Sequence, residues 1–128
     1  MATRPKPVLK KSVLHIVRRT ARREYRLKPS KKLNQLIGYL LAYCAKKYNI
    51  EILALVVMST HYHVSIADPD GNESRFKQCF HSHLARALND LQGVEHEALF
   101  ERREGGVVRA LDPASAMDDV VYICCNPV

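Results

Sequence analysis

Two histidines separated by one bulky residue, His61-Tyr62-His63, carry the clearest potential for metal chemistry in this 128-residue sequence. On an extended backbone, residues i and i+2 project from the same face, so both imidazoles point one way and Tyr62 the other. The flanks favour an extended backbone: aliphatic and β-branched residues run from Ile52 to Met58, and Val64 and Ile66 continue on the Tyr62 side. His61, His63 and Ser65 then share a polar face. A divalent ion with a catalytic task needs a further protein ligand and positions left open. Tyr122 and Asn126, four residues apart, would stack on one face of a terminal helix. If that helix crosses the histidine face, Asn126 reaches the ion as a third ligand and Tyr122 sits beside a phosphate held there. That pairs a nucleophile with the group that activates its electrophile.

A second cluster suits polyanions. Arg18, Arg19, Arg22, Arg23 and Arg26 surround Tyr25, which reads as a phosphate-contacting stripe with an aromatic available for base stacking; the plainer reading is a solvated charged loop. The net charge of +7 is unevenly distributed: residues 1–47 hold 14 Lys and Arg against one acid, and the remainder holds 6 against 12. The cysteines Cys44, Cys79, Cys124 and Cys125 lack the paired spacing of a zinc module, and an adjacent pair is poorly placed for an ordinary disulfide. A reducing, cytosolic setting fits them best, and Cys124 and Cys125 read as small packing residues. There is no signal-peptide pattern and no apolar run near the roughly 20 residues of a membrane span.

The elements that must position these groups follow from periodicity. Residues 1–11, rich in lysine with prolines, read as a flexible basic arm, and 12–128 as a single domain whose 47% hydrophobic composition supports one core. Val13 to Val17 is a strand. Ser30 caps an amphipathic helix carrying Leu33, Leu36, Ile37, Leu40, Leu41 and Cys44, and Tyr39, Tyr43 and Tyr48 are expected to bury their rings. Residues 51–58 and 61–67 form a hairpin around Ser59-Thr60. A second helix runs from Glu73 to about Leu91, with Phe76, Phe80, Leu84, Leu88 and Leu91 inward, until Gly93 breaks it. His81 and His83 repeat the His-x-His spelling, but on a helix such rings diverge by about 200°. With His15 and His96 they are expected to be structural or surface residues. Ala98 to Arg103 and Val107 to Leu111 read as short strands around Glu104-Gly105-Gly106, and Asp112-Pro113 opens a final helix. The economical solution is an α+β, ferredoxin-like antiparallel sheet with helices packed on it, plus a C-terminal tyrosine-bearing helix.

Met58-Ser59-Thr60-His61-Tyr62-His63 resembles the histidine–hydrophobic–histidine (HUH) motif of the single-tyrosine HUH transposases, the IS200-like superfamily. Tyr122-Ile123-Cys124-Cys125-Asn126-Pro127-Val128 resembles the tyrosine helix of the same family, and its Asn-Pro-Val ending is most similar to the branch associated with repetitive extragenic palindromes. The resemblance implies a metal-dependent enzyme that nicks and transfers strands of single-stranded or hairpin DNA through a 5′-phosphotyrosine at Tyr122. It implies Mg²⁺ or Mn²⁺ held by His61, His63 and Asn126, and the reading of Arg18, Arg19, Arg22, Arg23 and Arg26 as a nucleic-acid-binding stripe agrees with it. It also implies a bacterial cytoplasmic protein, nucleoid-associated when bound to DNA, that acts in cis or as a homodimer exchanging tyrosine helices. Tyr62 stands where an aliphatic residue is common. Similar members continue beyond Asn-Pro-Val, so the resemblance implies either a shortened domain or a domesticated relative. The alternatives are a catalytically degenerate domain that binds single-stranded nucleic acid, and a small metal-binding interaction module.

Overall fold

The structure, a computed structural model, describes residues 12–94, 97–101 and 107–109. In these the elements follow the order β1 (Ser12–Arg19), α1 (Lys31–Tyr48), β2 (Glu51–Met58), β3 (His61–Asp68), α2 (Glu73–Gln92) and β4 (Val107–Arg109), with one 3₁₀ turn at Ala21–Arg23. The sheet runs β2-β3-β1-β4 with every pairing antiparallel, which is the ferredoxin-like arrangement. The basic arm 1–11 and the terminal helix expected at 112–126, with Tyr122, Cys124, Cys125 and Asn126, lie outside the described residues.

Strand alternation sorts the side chains as periodicity requires. Leu14 and Ile16 of β1 and Tyr62, Val64 and Ile66 of β3 enter one core with both helices. On the other face Ala54 and Val56 form a small separate cluster. The Ser59-Thr60 turn joins β2 to β3, with Met58 opposite His61. Between Ala98 and Arg103 the described backbone makes one bridge, Phe100 to Thr20, while Val107 pairs with Ile16. Both described pieces therefore attach along β1 and the Thr20 that follows it, and the turn expected at Glu104-Gly105-Gly106 lies outside the described residues.

Ser30 caps α1, its Oγ accepting from Leu33 N at 3.1 Å, and Asn49 ends the helix in a left-handed conformation with φ 55°. Leu33, Ile37, Leu40, Leu41 and Cys44 are buried, but Tyr39 is 70% exposed and Tyr43 45%. The two tyrosines lie well round the helix from the aliphatic stripe, at 100° per residue, and face outward. Helix α2 begins on the buried carboxylate of Asp68, which accepts from Asn72 N at 2.8 Å and Glu73 N at 2.9 Å. That anion neutralises unpaired N–H groups at the positive end of the helix. Phe76, Phe80, Leu84 and Leu88 are buried, whereas Leu91 in the last turn is 49% exposed beside Lys32 and Leu36 of α1. Gly93 closes the helix with φ 68°.

Candidate metal and phosphate site

His61 and His63 project together from β3, ring centroids 5.0 Å apart, on the face opposite Tyr62. A third imidazole joins them. His15 lies opposite Ser65 on β1, and its Nε2 is 3.1 Å from His63 Nδ1. One ring must donate and the other accept. With His63 Nδ1–H donating, His63 Nε2 keeps its lone pair for a cation, the arrangement by which a neighbouring group fixes the tautomer of a metal-binding histidine. From the sequence alone His15 is expected to be a structural or surface residue. Its signal was the alternation Leu14, His15, Ile16, which places it on the non-core face just as Tyr62 and Val64 place His63.

Burial first, then the neighbouring His61, His15 and Arg19, lower the His63 pKa to about 4. His61 is shifted the same way by burial and Arg19. Both rings are therefore neutral near pH 7, as ligands must be. The turn before them is held from outside the hairpin: Thr20 N donates to Thr60 O at 2.8 Å and Leu27 N to Ser59 O at 3.1 Å. Thr60 Oγ1 in turn meets His61 Nδ1 at 3.2 Å.

The five arginines divide. Arg19 and Arg23 line a hollow of about 280 Å³ with Thr60 and His61. Arg22 and Arg23 carry φ of 55° and 54°, a left-handed backbone that costs an L residue on the order of 1–2 kcal/mol, and Arg23 reaches the rim from it. Arg22 is engaged at the surface, its NH2 lying 3.0 Å from Glu24 and 3.4 Å from Glu97. Arg18 donates to Glu101 O at 2.7 Å and lies over the Phe100 ring. Arg26 turns inward: it is 8% exposed, Nε donating to Gln92 at 2.8 Å and NH2 to Asn89 at 2.7 Å. It supplies a cation to the last turn of α2, which has no basic residue of its own there. Of the stripe read from the sequence, Arg26 is held inward by α2, and Arg19 and Arg23 stand beside His61.

Tyr62, 2% exposed, is bonded through its hydroxyl to His81 Nε2. Burial raises the phenol pKa and lowers that of His81 to about 3, so both partners are neutral. Tyr62 is therefore a core residue despite its place between the histidines. As expected, the His81 and His83 rings diverge. His83 Nδ1 donates to Cys79 O at 2.8 Å and lies 3.7 Å from Cys79 Sγ. Cys79 Sγ is 3.0 Å from Cys44 Sγ, and burial with this contact pushes the Cys44 thiol up to about 12.

Depressed histidine pKa values make the fold acid-sensitive. Below about pH 6.5 the unfolded chain takes up protons that native His63 and His81 refuse until pH 4 to 3. The stability these rings permit is complete above pH 6.5 and is lost as pH falls toward 4. The urea midpoint should drop between pH 7 and 5, and His63→Gln should flatten that slope; a midpoint constant across the interval would contradict neutral burial.

No protein-family model and no curated protein matches the sequence; the likeness is one of three-dimensional structure. A REP-associated tyrosine transposase bound to a REP hairpin aligns with TM-score 0.73 and 18% identity, over 99% of this chain and 73% of that one. A protein of Deinococcus radiodurans R1 described as a transposase aligns with TM-score 0.64 and 16% identity, over 94% and 95% of the respective chains. This chain has the fold of the REP-associated tyrosine transposase and of its Deinococcus counterpart.

Proposed function

We propose that this protein is a metal-dependent DNA transposase of the HUH kind that nicks and rejoins single-stranded DNA. The observation that carries the reading is the convergence of two neutral imidazoles, His61 and His63, beside an arginine-lined hollow on a sheet shared with transposases. His61, His63 and Asn126 would hold Mg²⁺ or Mn²⁺. Two nitrogen donors make the set softer than a typical Mg²⁺ site, so Mn²⁺ is the better probe in vitro. When bound, the ion polarises a phosphate and offsets charge that develops in the transition state.

The chain's own groups do the rest. Arg19 and Arg23 hold the backbone of the strand at the mouth of the histidine face. Tyr122 Oη attacks phosphorus and loses its proton while the P–O3′ bond breaks, leaving a 5′-phosphotyrosine and a free 3′-hydroxyl. Attack by a 3′-hydroxyl reverses these changes and joins strands without an external energy source. A hairpin is the reasonable first substrate, since the structurally similar REP-associated transposase is seen on one.

The test is incubation with single-stranded hairpin oligonucleotides and Mn²⁺, followed by denaturing gels. A covalent protein–DNA adduct that needs the ion is expected. Salt-sensitive binding without an adduct on any substrate would instead indicate a binding domain that has lost turnover. Absence of salt-sensitive binding would leave a metal-binding module. Binding itself has a local prediction. Arg23→Gly removes a rim charge and relieves the left-handed backbone, so it should leave thermal stability unchanged or higher. It should also reduce the slope of log affinity against log salt by about 0.7, the value for one single-strand phosphate contact. An unchanged slope would remove Arg23 from the interface.

A further inference from the structure

On the helical side of the sheet, away from the histidine face, a second set of ligand-type side chains converges. Cys44 comes from α1, and Cys79 and His83 come from successive turns of α2, four residues apart on one face. One ligand atom from each lies within 4.8 Å of the other two. Cys44 is fully buried and Cys79 is 9% exposed, so the sulfurs face each other inside the helix pair rather than solvent.

We infer that Cys44, Cys79 and His83 form a Zn²⁺ site with one open position that pins α1 to α2. The donor set is two thiolates and one imidazole, the soft and borderline ligands that Zn²⁺ prefers over Mg²⁺ or Mn²⁺. The dimensions allow it. A cation about 2.3 Å from each sulfur at a tetrahedral angle holds the sulfurs roughly 3.8 Å apart, so the present 3.0 Å thiol contact opens by under about 1 Å. The His83 ring is half-buried and rests against Tyr43, with centroids 5.8 Å apart; a turn away from the Cys79 carbonyl presents a nitrogen to the cation. A hollow of about 230 Å³, lined by Arg75, Gln78, Cys79 and His83 among others, opens onto the cluster and gives a water the fourth position. On binding, each thiol proton is released to solvent and two S–Zn bonds form, so the charge of the dication is balanced by two thiolates.

The site would brace the helix layer rather than take part in strand chemistry, because the sheet separates it from His61 and His63. Spacing alone hid it. The cysteines are 35 residues apart, and only the packing of α1 on α2 brings them together.

The test uses the full chain, kept reduced and titrated with Co²⁺ as a coloured substitute for Zn²⁺. A thiolate-to-cobalt charge-transfer band saturating at one ion per chain is expected. The histidine face has no sulfur among the ligands proposed for it, so an ion bound there cannot produce the band. Cys79→Ser should abolish it, His83→Gln should weaken Co²⁺ binding at least tenfold, and Cys124→Ser/Cys125→Ser should leave it intact. Zn²⁺ should bleach the band and raise the melting temperature of the wild-type chain but not of Cys79→Ser, each variant being checked for native circular dichroism. Absence of a thiolate band in the wild-type chain, or a band that follows Cys124 and Cys125, overturns the assignment. Retention of the full band in His83→Gln reduces the site to a dithiol and overturns it as well.

Discussion

Tyr122→Phe is expected to yield no covalent adduct at all with a hairpin oligonucleotide and Mn²⁺, while DNA binding stays within about twofold of wild type. Removing a catalytic nucleophile costs on the order of 10⁶ in rate, far below what a denaturing gel detects, and the ring that remains keeps any packing contact. His61→Ala should act differently. On the proposed mechanism it leaves the nucleophile but takes one imidazole from the ion, and loss of a single charge-stabilising group typically costs about 10²–10³-fold. His61→Ala should therefore show slow adduct formation that higher Mn²⁺ partly restores, and Tyr122→Phe none at any concentration. Tyr39→Phe, on the exposed side of α1, serves as the control and should react normally. An undiminished adduct in Tyr122→Phe would move the nucleophile elsewhere, and full rate in His61→Ala would detach the histidine face from the chemistry.

Phe80→Ala should be the most damaging single change to the fold, at about 3–5 kcal/mol. Phe80 is 1% exposed, its ring parallel to that of Phe76 at 6.3 Å and edge-on to Tyr62 at 5.7 Å. Truncation leaves a void at the junction of α2 with β3, where dense packing leaves little room for collapse. For a chain of this size the melting temperature should fall by roughly 10–20 °C. The damage reaches the site because Tyr62, which packs on Phe80, is the residue between His61 and His63. Phe80→Ala should therefore lower Mn²⁺ affinity even at temperatures where it remains folded, while Phe80→Leu, which refills most of the volume, should lose far less of either. Urea unfolding and Mn²⁺ titration measure both quantities, and a loss under about 1 kcal/mol would mean that the junction is not closely packed.

How much of this was legible beforehand follows from the range of each interaction. Alternation along 51–58 and 61–67 was enough to place Tyr62 inward and both histidines outward, because the side-chain period of a strand is a local property. The Ser30 cap and the inward faces of α1 and α2 were readable for the same reason, being set within a few turns. Periodicity also overreached. Tyr39, Tyr43 and Leu91 are apolar enough to expect burial, yet which arc of a helix is covered depends on where the neighbouring layer ends.

The sequence by itself determined the order of elements from β1 to α2, the His61/His63 face and the unequal distribution of charge, because these depend on residue type and on spacing of four residues or less. Only the tertiary structure decided the rest. Arg26 turned inward because the last turn of α2, 63 to 66 residues away, offered it two amide oxygens. His15 joined the histidine face because β1 pairs with β3 in one particular register, and a slip of one residue would have turned it into the core. Cys44 met Cys79 and His83 because two helices that cannot read each other along the chain bury their apolar stripes against the same sheet face. Contacts between residues distant in sequence are set by which surfaces must be hidden from water together, and that is a property of the assembled layers rather than of any segment.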